Sequence, residues 1–255
     1  MIYIVVLAYN EASGIAALLT ELASELGRQP GAYRFLVVDD GSTDGTLDAV
    51  RLVEGGLPVT VLRHYENQGV GAAFNTGLRH AAEVAQDGDV IVTIEGDRTN
   101  RANIIPEMLR ELDRNIDVVC ASRYIPGGAY VGFPLTRRIL SWGANWVMRV
   151  FYRVPGVKDY TIFYRAYRAR VLKKAIAAYQ ERFIESRGFT ANAEILFKAA
   201  SIQSLHCSEV AMVYRYDLKK GRSKMRILKN LYEYGVLFLK FLGARTQERP
   251  RTRGE

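Results

Sequence analysis

"RFLVVDDGSTDGT", residues 34–46, changes character halfway along. Phe35 to Val38 are four consecutive apolar residues, too short a run for a helix and right for a strand buried on both faces. Asp39 and Asp40 end that run, Gly41 and Ser42 supply turn chemistry, and the Thr-Asp-Gly-Thr at 43–46 stands ahead of a helical pattern as capping residues do. A buried strand, a polar turn and a helix together form the repeating unit of a parallel sheet covered by helices. Alone, the stretch is equally a strand followed by a capped helix with no ligand.

The flanking sequence repeats the unit. "IYIVVLAY" (2–9) precedes a helical pattern from Ala12 to Gly27, and "VTVLRH" (59–64) precedes one from Val70 to Ala85. "DVIVTIE" (89–95) and "DVVCASRY" (117–124) add two strands. The expected fold class is therefore α/β, a mostly parallel central sheet flanked by helices. In such sheets ligands bind beyond the carboxyl ends of the strands. Those ends are polar here: Tyr9, Asn10 and Glu11 after Ala8, then Asp39 and Asp40, then Glu95, Gly96 and Asp97. Side chains two apart on an extended segment share a face, so Glu95 and Asp97 are expected to converge across Gly96, and two anions held together call for a cation.

The second half is less regular. It offers a loop "IPGGAYVGFP" (125–134), a helix from Thr136 to Tyr152, "DYTIFYRAY" (159–167), and helices near 170–179 and 190–200. A single strand "SEVAMVYRY" (208–216) and a basic loop "DLKKGRSK" (217–224) follow. No internal repeat or low-complexity linker divides the chain, so one domain is expected over 1–225. Residues 226–243 have amphipathic helical spacing, with an apolar run "YGVLFL" far short of the roughly 20 residues that span a bilayer. A helix lying on a membrane surface and a helix packed on the domain's own core fit that pattern equally. The basic tail, 244–255, reads as disordered.

Composition narrows the class. The chain has 255 residues, 49% hydrophobic and 24% charged, enough for a sizeable globular core. Its two cysteines, Cys120 and Cys207, form no CxxC, which argues against a disulfide framework or zinc site and for a reducing cytoplasm. "MIYIVVLAYN" reads as a first strand and not as a signal peptide, so export is not expected. The net charge of +8 is unevenly spread: residues 1–120 carry 9 Lys and Arg against 18 Asp and Glu, residues 121–255 carry 26 against 9. A basic half suits phosphate-bearing ligands, an anionic membrane surface or nucleic acid. Aromatics interleave with basic residues over 149–174, which keeps RNA binding as an alternative, but no nucleic-acid module signature occurs and no nucleic-acid partner is expected.

Order gives the motifs their specificity. "AYNE" (8–11), "VVDDGSTDGT" (37–46), "NQGVGAAFNTG" (67–77), the acidic pair, "ASRY" (121–124) and "GRSK" (221–224) follow one another in this chain. In that order they resemble the family-2 glycosyltransferases of the GT-A fold, and most closely the polyprenyl- and dolichol-phosphate mannose synthases, over about residues 2–228. Competing families lack their marks. A Rossmann dehydrogenase needs GxGxxG where this chain has "NEASGI", no Walker A occurs, and the QxxRW of processive polysaccharide synthases is missing.

The resemblance implies roles. Ala8, Tyr9, Asn10, Glu11, Asp39, Asp40, Gly69, Gly71, Glu95 and Gly96 would bind the nucleotide sugar. Asp39 would meet the base, and the glycines would let backbone pass close to the nucleotide. Glu95 and Asp97 align with the family's DxD metal element, with Glu95 in place of Asp, so Mg²⁺ or Mn²⁺ is the expected cofactor and Asp97 its principal ligand. Carboxylate oxygens suit those hard cations. Arg123, Ser223 and Lys224, with Arg137 or Arg138, match the positions that hold the acceptor phosphate. Asp159 matches the D-x-T-S-G-F-R stretch, in which Ile162 and Phe163 replace the small pair. Asp97, Arg123 and Glu194 are the expected catalytic residues. Glu194 would be a base toward a hydroxyl acceptor, or a structural partner for an arginine. His64, His80 and His206 have no metal-like spacing and are read as core or surface histidines.

The resemblance thus implies an inverting transferase that moves a single hexose, mannose-type favoured, to a polyprenyl or dolichyl phosphate. A phosphate monoester has its second pKa near 6 and needs cations to position it more than a base to deprotonate it. The donor would be GDP-mannose, with a UDP-sugar as the other choice. The expected place is the inner, cytoplasmic face of the membrane, as a peripheral protein, with a membrane-embedded partner left open. Transfer to a hydroxyl of a lipid or glycan, and a non-catalytic protein that binds nucleotide sugar or anionic lipid, are the alternatives.

Overall fold

The computed structural model describes residues 1–218, 233–237 and 239. Its strands are β1 (Ile2–Ala8), β2 (Tyr33–Asp40), β3 (Val59–His64), β4 (Val90–Glu95), β5 (Val118–Ser122), β6 (Ala129–Val131), β7 (Arg165–Arg168), β8 (Cys207–Ala211) and β9 (Val213–Arg215). The helices are α1 (Ile15–Leu26), α2 (Thr46–Glu54), α3 (Val70–Val84), α4 (Ile105–Leu112), α5 (Leu135–Phe151), α6 (Ala169–Tyr179) and α7 (Ala191–Ile202).

Seven strands form one sheet in the order β3-β2-β1-β4-β7-β5-β8. All neighbours are parallel except β7, which runs antiparallel to both β4 and β5. The central strands are apolar on both faces because both faces are covered. Along β1, Ile2, Ile4, Val6 and Ala8 belong to one buried cluster, shared with α1, α2 and α4. Tyr3 and Val5 belong to the other, shared with α3, α5, α6 and α7. Within α1, Ile15, Leu18, Leu19, Leu22 and Leu26 supply the buried stripe at helical spacing.

Three departures from the sequence reading shape the site. The chain between β4 and β5 forms α4, which starts with Pro106 in its first turn and buries Ile105, Met108 and Leu112. The expected strand at 208–216 is two strands, divided at Met212. Its N–H donates to the Ser122 carbonyl, 2.9 Å, and its carbonyl accepts from the Ala129 N–H, 3.0 Å. The chain thereby leaves the main sheet and β9 pairs with β6. Within "DYTIFYRAY" only Arg165 onward is strand, and its reversed direction brings residues 159–164 to the edge where the parallel strands end. The helix expected at 226–243 lies mostly outside the described residues. Of those described, Leu237 is buried in the core and Tyr234 packs against it, while Leu239 is exposed.

Candidate active site

The turns after β1 and β2 are tied to each other. Asn10, with φ +52°, donates its N–H to Ser42 Oγ at 2.9 Å, and its Oδ1 accepts from Thr43 N at 2.8 Å. Glu11 N donates to Thr46 Oγ1 at 2.8 Å and Ala12 N to Asp44 Oδ2 at 3.2 Å. Asp44 Oδ1 also accepts from the N–H and hydroxyl of Thr46. Burial raises the Asp44 carboxyl, but these hydrogen bonds outweigh it and hold its pKa below the ordinary range. The expected polar edge is thus a cross-braced platform.

Asp39 and Asp40 part company on that platform. Asp40 is an internal brace: its Oδ1 accepts from His64 Nδ1 at 2.7 Å and Gln68 N at 2.9 Å, and its Oδ2 from Asn67 Nδ2 at 3.0 Å and Gly69 N at 2.9 Å. His64 also meets Thr76, so it is a bonded core histidine, as expected. Asp39 is fully buried, and its Oδ1 accepts from Ser42 N at 3.2 Å, while its Oδ2 has no hydrogen-bond partner among the described residues. The nearest cation is the largely exposed Arg63, its Nε 3.9 Å away. A buried carboxylate oxygen without a donor is costly unless a ligand supplies one.

β4 ends at Glu95, so Asp97 lies in a turn and not on an extended segment, and strand alternation does not bring the two together. The turn does. Gly96 N donates to the Leu7 carbonyl at 2.8 Å, and a Cβ on Gly96 would stand 3.0 Å from that oxygen. Asp97 Oδ1 accepts from the hydroxyl and N–H of Thr99, at 2.6 and 3.1 Å. Arg98, with φ +61°, is held by an ion pair with Glu21 of α1. Asn100 Nδ2 reaches Glu95 Oε2 at 3.4 Å, and its Oδ1 is buried without a partner. Two carboxylates and an unpartnered amide oxygen form a hard-oxygen donor set that fits Mg²⁺ or Mn²⁺. Among the described residues no group of three or more His, Cys, Asp or Glu could hold a metal, so these two carboxylates would be the protein's acidic share.

Across the edge stands a box of tyrosines with arginines between them. Arg123, buried after β5, donates from Nε and Nη2 to Asp159 at 2.7 Å each, and from Nη2 to Thr161 Oγ1 at 2.7 Å. Burial disfavours its charge, and the Asp159 carboxylate beside it outweighs that penalty. Its Cζ lies 5.1 Å from the ring centre of Tyr130, 5.6 Å from that of Tyr124 and 5.6 Å from that of Tyr214. Arg138 stacks on Tyr130 at 5.3 Å, so both arginines share one ring. Arg123, Tyr130, Arg138, Leu135, Ile139 and Trp142 line a cleft of about 580 Å³. Arg137 instead reaches Tyr216, its Cζ 5.8 Å from the ring centre. Ser223 and Lys224 lie outside the described residues.

Tyr214 joins the two sides. Its phenol pKa is pushed well up, first by burial and then by the carboxylates of Glu95 and Asp97, against the pull of Thr99 and Arg123. One ring therefore feels the acidic pair and the buried arginine together.

Two expectations are corrected by packing. The space at Gly69 and Gly71 is filled by the protein's own backbone: a Cβ on Gly71 would stand 1.7 Å from the Ser186 carbonyl oxygen, and one on Gly69 2.8 Å from that of Arg187. Gly69 does need its left-handed backbone, with φ +94°. Glu194 is fully buried, and its oxygens accept from Glu185 N and Ser186 N and from Lys198 Nζ at 2.6 Å. With both oxygens occupied and no exposed surface it anchors the 185–186 backbone, and the role of general base is withdrawn. Its charged partner is Lys198 and not the expected arginine.

Tyr130, Tyr214, Thr161, Ser141 and Asn145 belong to the site without having been singled out. They come from four separated segments, and neither Tyr130 nor Tyr214 falls in the aromatic and basic stretch at 149–174.

The model of glycosyl transferase family 2 matches residues 3–176. An undecaprenyl-phosphate mannosyltransferase of Micrococcus luteus is 31% identical over 218 residues, 85% of this chain and 84% of that protein. A polyprenol monophosphomannose synthase of Mycolicibacterium smegmatis is 32% identical over 197 residues, 74% of this chain and 69% of its own length. Among solved structures, glucosyl-3-phosphoglycerate synthase of Mycobacterium tuberculosis in complex with Mn²⁺, UDP and glucosyl-3-phosphoglycerate superposes with a TM-score of 0.63. It is 19% identical, over 96% of this chain and 79% of that one, which is a likeness of fold.

Proposed function

From its membership of glycosyl transferase family 2, to which this chain belongs, we propose that it transfers mannose, with inversion, from a nucleotide-diphosphate sugar to a polyprenyl phosphate. The observation that carries this reading is that Tyr214 feels the carboxylates of Glu95 and Asp97 and also, 5.6 Å from its ring centre, the guanidinium of Arg123. A donor diphosphate with its divalent cation belongs against the carboxylates, and an acceptor phosphate against the guanidinium.

Each group has a task in that reaction. Asp39 Oδ2 takes the ring N–H of the nucleobase, which satisfies a buried acceptor that has no hydrogen-bond donor among the described residues. Asp97, Glu95 and Asn100 hold Mg²⁺ or Mn²⁺, which when bound neutralises charge on the leaving nucleoside diphosphate. Arg123 and Arg138, on either side of Tyr130, orient the acceptor phosphate by charge-assisted hydrogen bonds. No residue need accept a proton, because a phosphate monoester with a second pKa near 6 is mostly dianionic at neutral pH. The burial of Glu194 supports this acceptor over a hydroxyl, since the carboxylate expected as base is locked away.

The lipid part of the acceptor suits the outer face of α5. Leu135, Ile139, Trp142, Trp146 and Val150 follow one another at helical spacing and are each more than half exposed. Leu135, Ile139 and Trp142 also line the cleft that holds Arg123 and Arg138. The phosphate seat thus opens directly onto an apolar helix face that fits isoprenoid chains at a membrane surface. No described helix is long and apolar enough to cross a membrane. The named relatives are mannose enzymes, which favours a nucleotide-activated mannose as donor; GDP-mannose is our first choice and a UDP-sugar the competing donor.

The test pairs two substitutions with two acceptors. Donor affinity is measured with and without Mn²⁺ for wild type, Asp39→Asn and Asp97→Asn, and mannose transfer is followed to a polyprenyl phosphate and to the corresponding polyprenol. Asp97→Asn abolishes the metal-dependent part of donor binding. Asp39→Asn weakens the donor roughly tenfold or more, the value of a hydrogen bond to a charged group. Donor binding indifferent to EDTA, or transfer to the alcohol and not to the phosphate, refutes the proposal.

A further inference from the structure

The inner face of α5 reaches the acceptor arginine through a short chain of hydroxyls. Thr161 Oγ1 receives hydrogen bonds from two nitrogens that can only donate, Arg123 Nη2 at 2.7 Å and Asn145 Nδ2 at 3.1 Å. A hydroxyl has two lone pairs and one proton, so both lone pairs are filled. Its proton is then directed at Ser141 Oγ, 3.1 Å away, or at Asp159 Oδ1, 3.3 Å away. Asn145 is fixed in turn, because its Nδ2 also donates to the Ser141 carbonyl at 2.8 Å and its Oδ1 accepts from Tyr160 N at 2.6 Å. Ser141 Oγ also meets Tyr124 OH at 2.9 Å, and Tyr124 accepts from Tyr130 OH at 2.7 Å.

These contacts fix the guanidinium from one edge. Nε and Nη2 of Arg123 are taken by Asp159 and Thr161, while Nη1 makes no hydrogen bond among the described residues. Asp159 alone holds the plane of the group by two bonds. Thr161 supplies a third at Nη2, and its own position is set from α5. One helix therefore carries the apolar stripe on its outer side and the pins of the phosphate seat on its inner side.

We propose that Ser141 and Asn145 are positioning residues for the acceptor: acting through Thr161, they aim the remaining Nη1 edge of Arg123 into the cleft and so tie acceptor phosphate binding to the seating of α5. The proposal rests on the reading of this cleft as the seat of the acceptor phosphate. Removing a pin leaves the charge of Arg123 in place and loosens its aim. The loss therefore falls on acceptor KM, while donor affinity is untouched.

The experiment uses the full chain, with Ser141→Ala, Thr161→Val and the conservative Thr161→Ser. Initial rates are measured with polyprenyl phosphate varied at saturating nucleotide sugar, and donor affinity is measured separately. The expected result is a rise in acceptor KM on the order of tenfold for Ser141→Ala and Thr161→Val, a kcat changed far less, wild-type donor affinity, and recovery in Thr161→Ser. Acceptor KM unchanged in both, or donor affinity falling in parallel with it, overturns the proposal. Arginine side-chain NMR provides a readout that needs no turnover. The Arg123 Nη–H signals, assigned by their loss in Arg123→Lys, are resolved in wild type and broadened by rotation in Ser141→Ala and Thr161→Val. Signals as sharp as wild type in both variants refute the positioning role even where no transfer is seen. Absence of transfer by wild type itself counts against the proposed reaction alone.

Discussion

Gly71→Ala and Gly143→Ala make the same chemical change in two helices, and the structure requires opposite outcomes. In an unobstructed helix alanine is better than glycine by up to about 1 kcal/mol. Gly143, in α5, has nothing within 4 Å of a built Cβ. Gly143→Ala should therefore stabilise by about 0.5–1 kcal/mol. At Gly71, in the first turn of α3, the Cβ would stand 1.7 Å from the Ser186 carbonyl oxygen, 2.8 Å from its carbon and 3.2 Å from Arg187 Cα. Those are backbone atoms, held from behind by Glu194 through Glu185 N and Ser186 N. The segment must retreat by roughly 1.5 Å to restore ordinary contact distance. That retreat strains the brace and breaks the 3.1 Å bond from Gly71 N to the Arg187 carbonyl, worth about 1 kcal/mol. Overpacking adds about 1–3 kcal/mol. The propensity gain is the smaller quantity, and a net loss of about 1–3 kcal/mol remains. Urea unfolding followed by circular dichroism measures both changes. A shift of roughly 2–4 °C in Tm per kcal/mol makes them visible in thermal melts too. Gly71→Ala as stable as wild type, or Gly143→Ala less stable, refutes the reasoning.

Two further outcomes are expected. Lys198→Met leaves the Glu194 carboxylate buried with backbone N–H groups alone, and should cost about 3–5 kcal/mol in the same unfolding assay. Adding Glu194→Gln should recover part of that loss, since the pair is coupled, whereas simple additivity of the two changes would contradict the buried ion pair. Asp44 has a folded pKa depressed below its unfolded value, so its contribution is complete above the ordinary carboxylate range near 4 and is lost as the pH falls through the folded value. Stability of Asp44→Asn, followed by unfolding from about pH 5 down to pH 2, should decline less steeply than wild type, and an equal decline would remove Asp44 from the acid response.

The edge proposed for the donor drew its candidates from the sequence because strand ends are local features. Asp39, Glu95 and Asp97 sit at or just beyond strand ends, where a parallel sheet delivers its terminal residues to one edge whatever the rest of the chain does. Asp40 shows the limit: the same pattern that marks Asp39 for a ligand cannot reveal that its neighbour turns to bind Gln68 and Gly69. The cleft proposed for the acceptor was marked only through resemblance. Arg123 meets Asp159 because β7 runs backward, and Tyr214 meets both poles because the strand around Met212 breaks and changes sheet. Neither event leaves a periodic trace. Gly69 and Gly71 were expected to pass close to a nucleotide, but glycine does not record what approaches, and here it is the backbone of 186–187.

The reversed strand has a consequence for how such an enzyme diversifies. The chain leaves the sheet after β5 and returns in β7, and these two strands are direct neighbours, Cys120 lying opposite Arg165. Everything between them, the tyrosine-lined cleft and the amphipathic helix included, is a detour whose entrance and exit stand one strand spacing apart, about 5 Å. Such a detour can lengthen, shorten or be exchanged for a relative's without moving the strands that carry the acidic turn. Chimeras cut at Ser122 and Arg165 are therefore the natural way to graft a new acceptor preference onto an unchanged donor half.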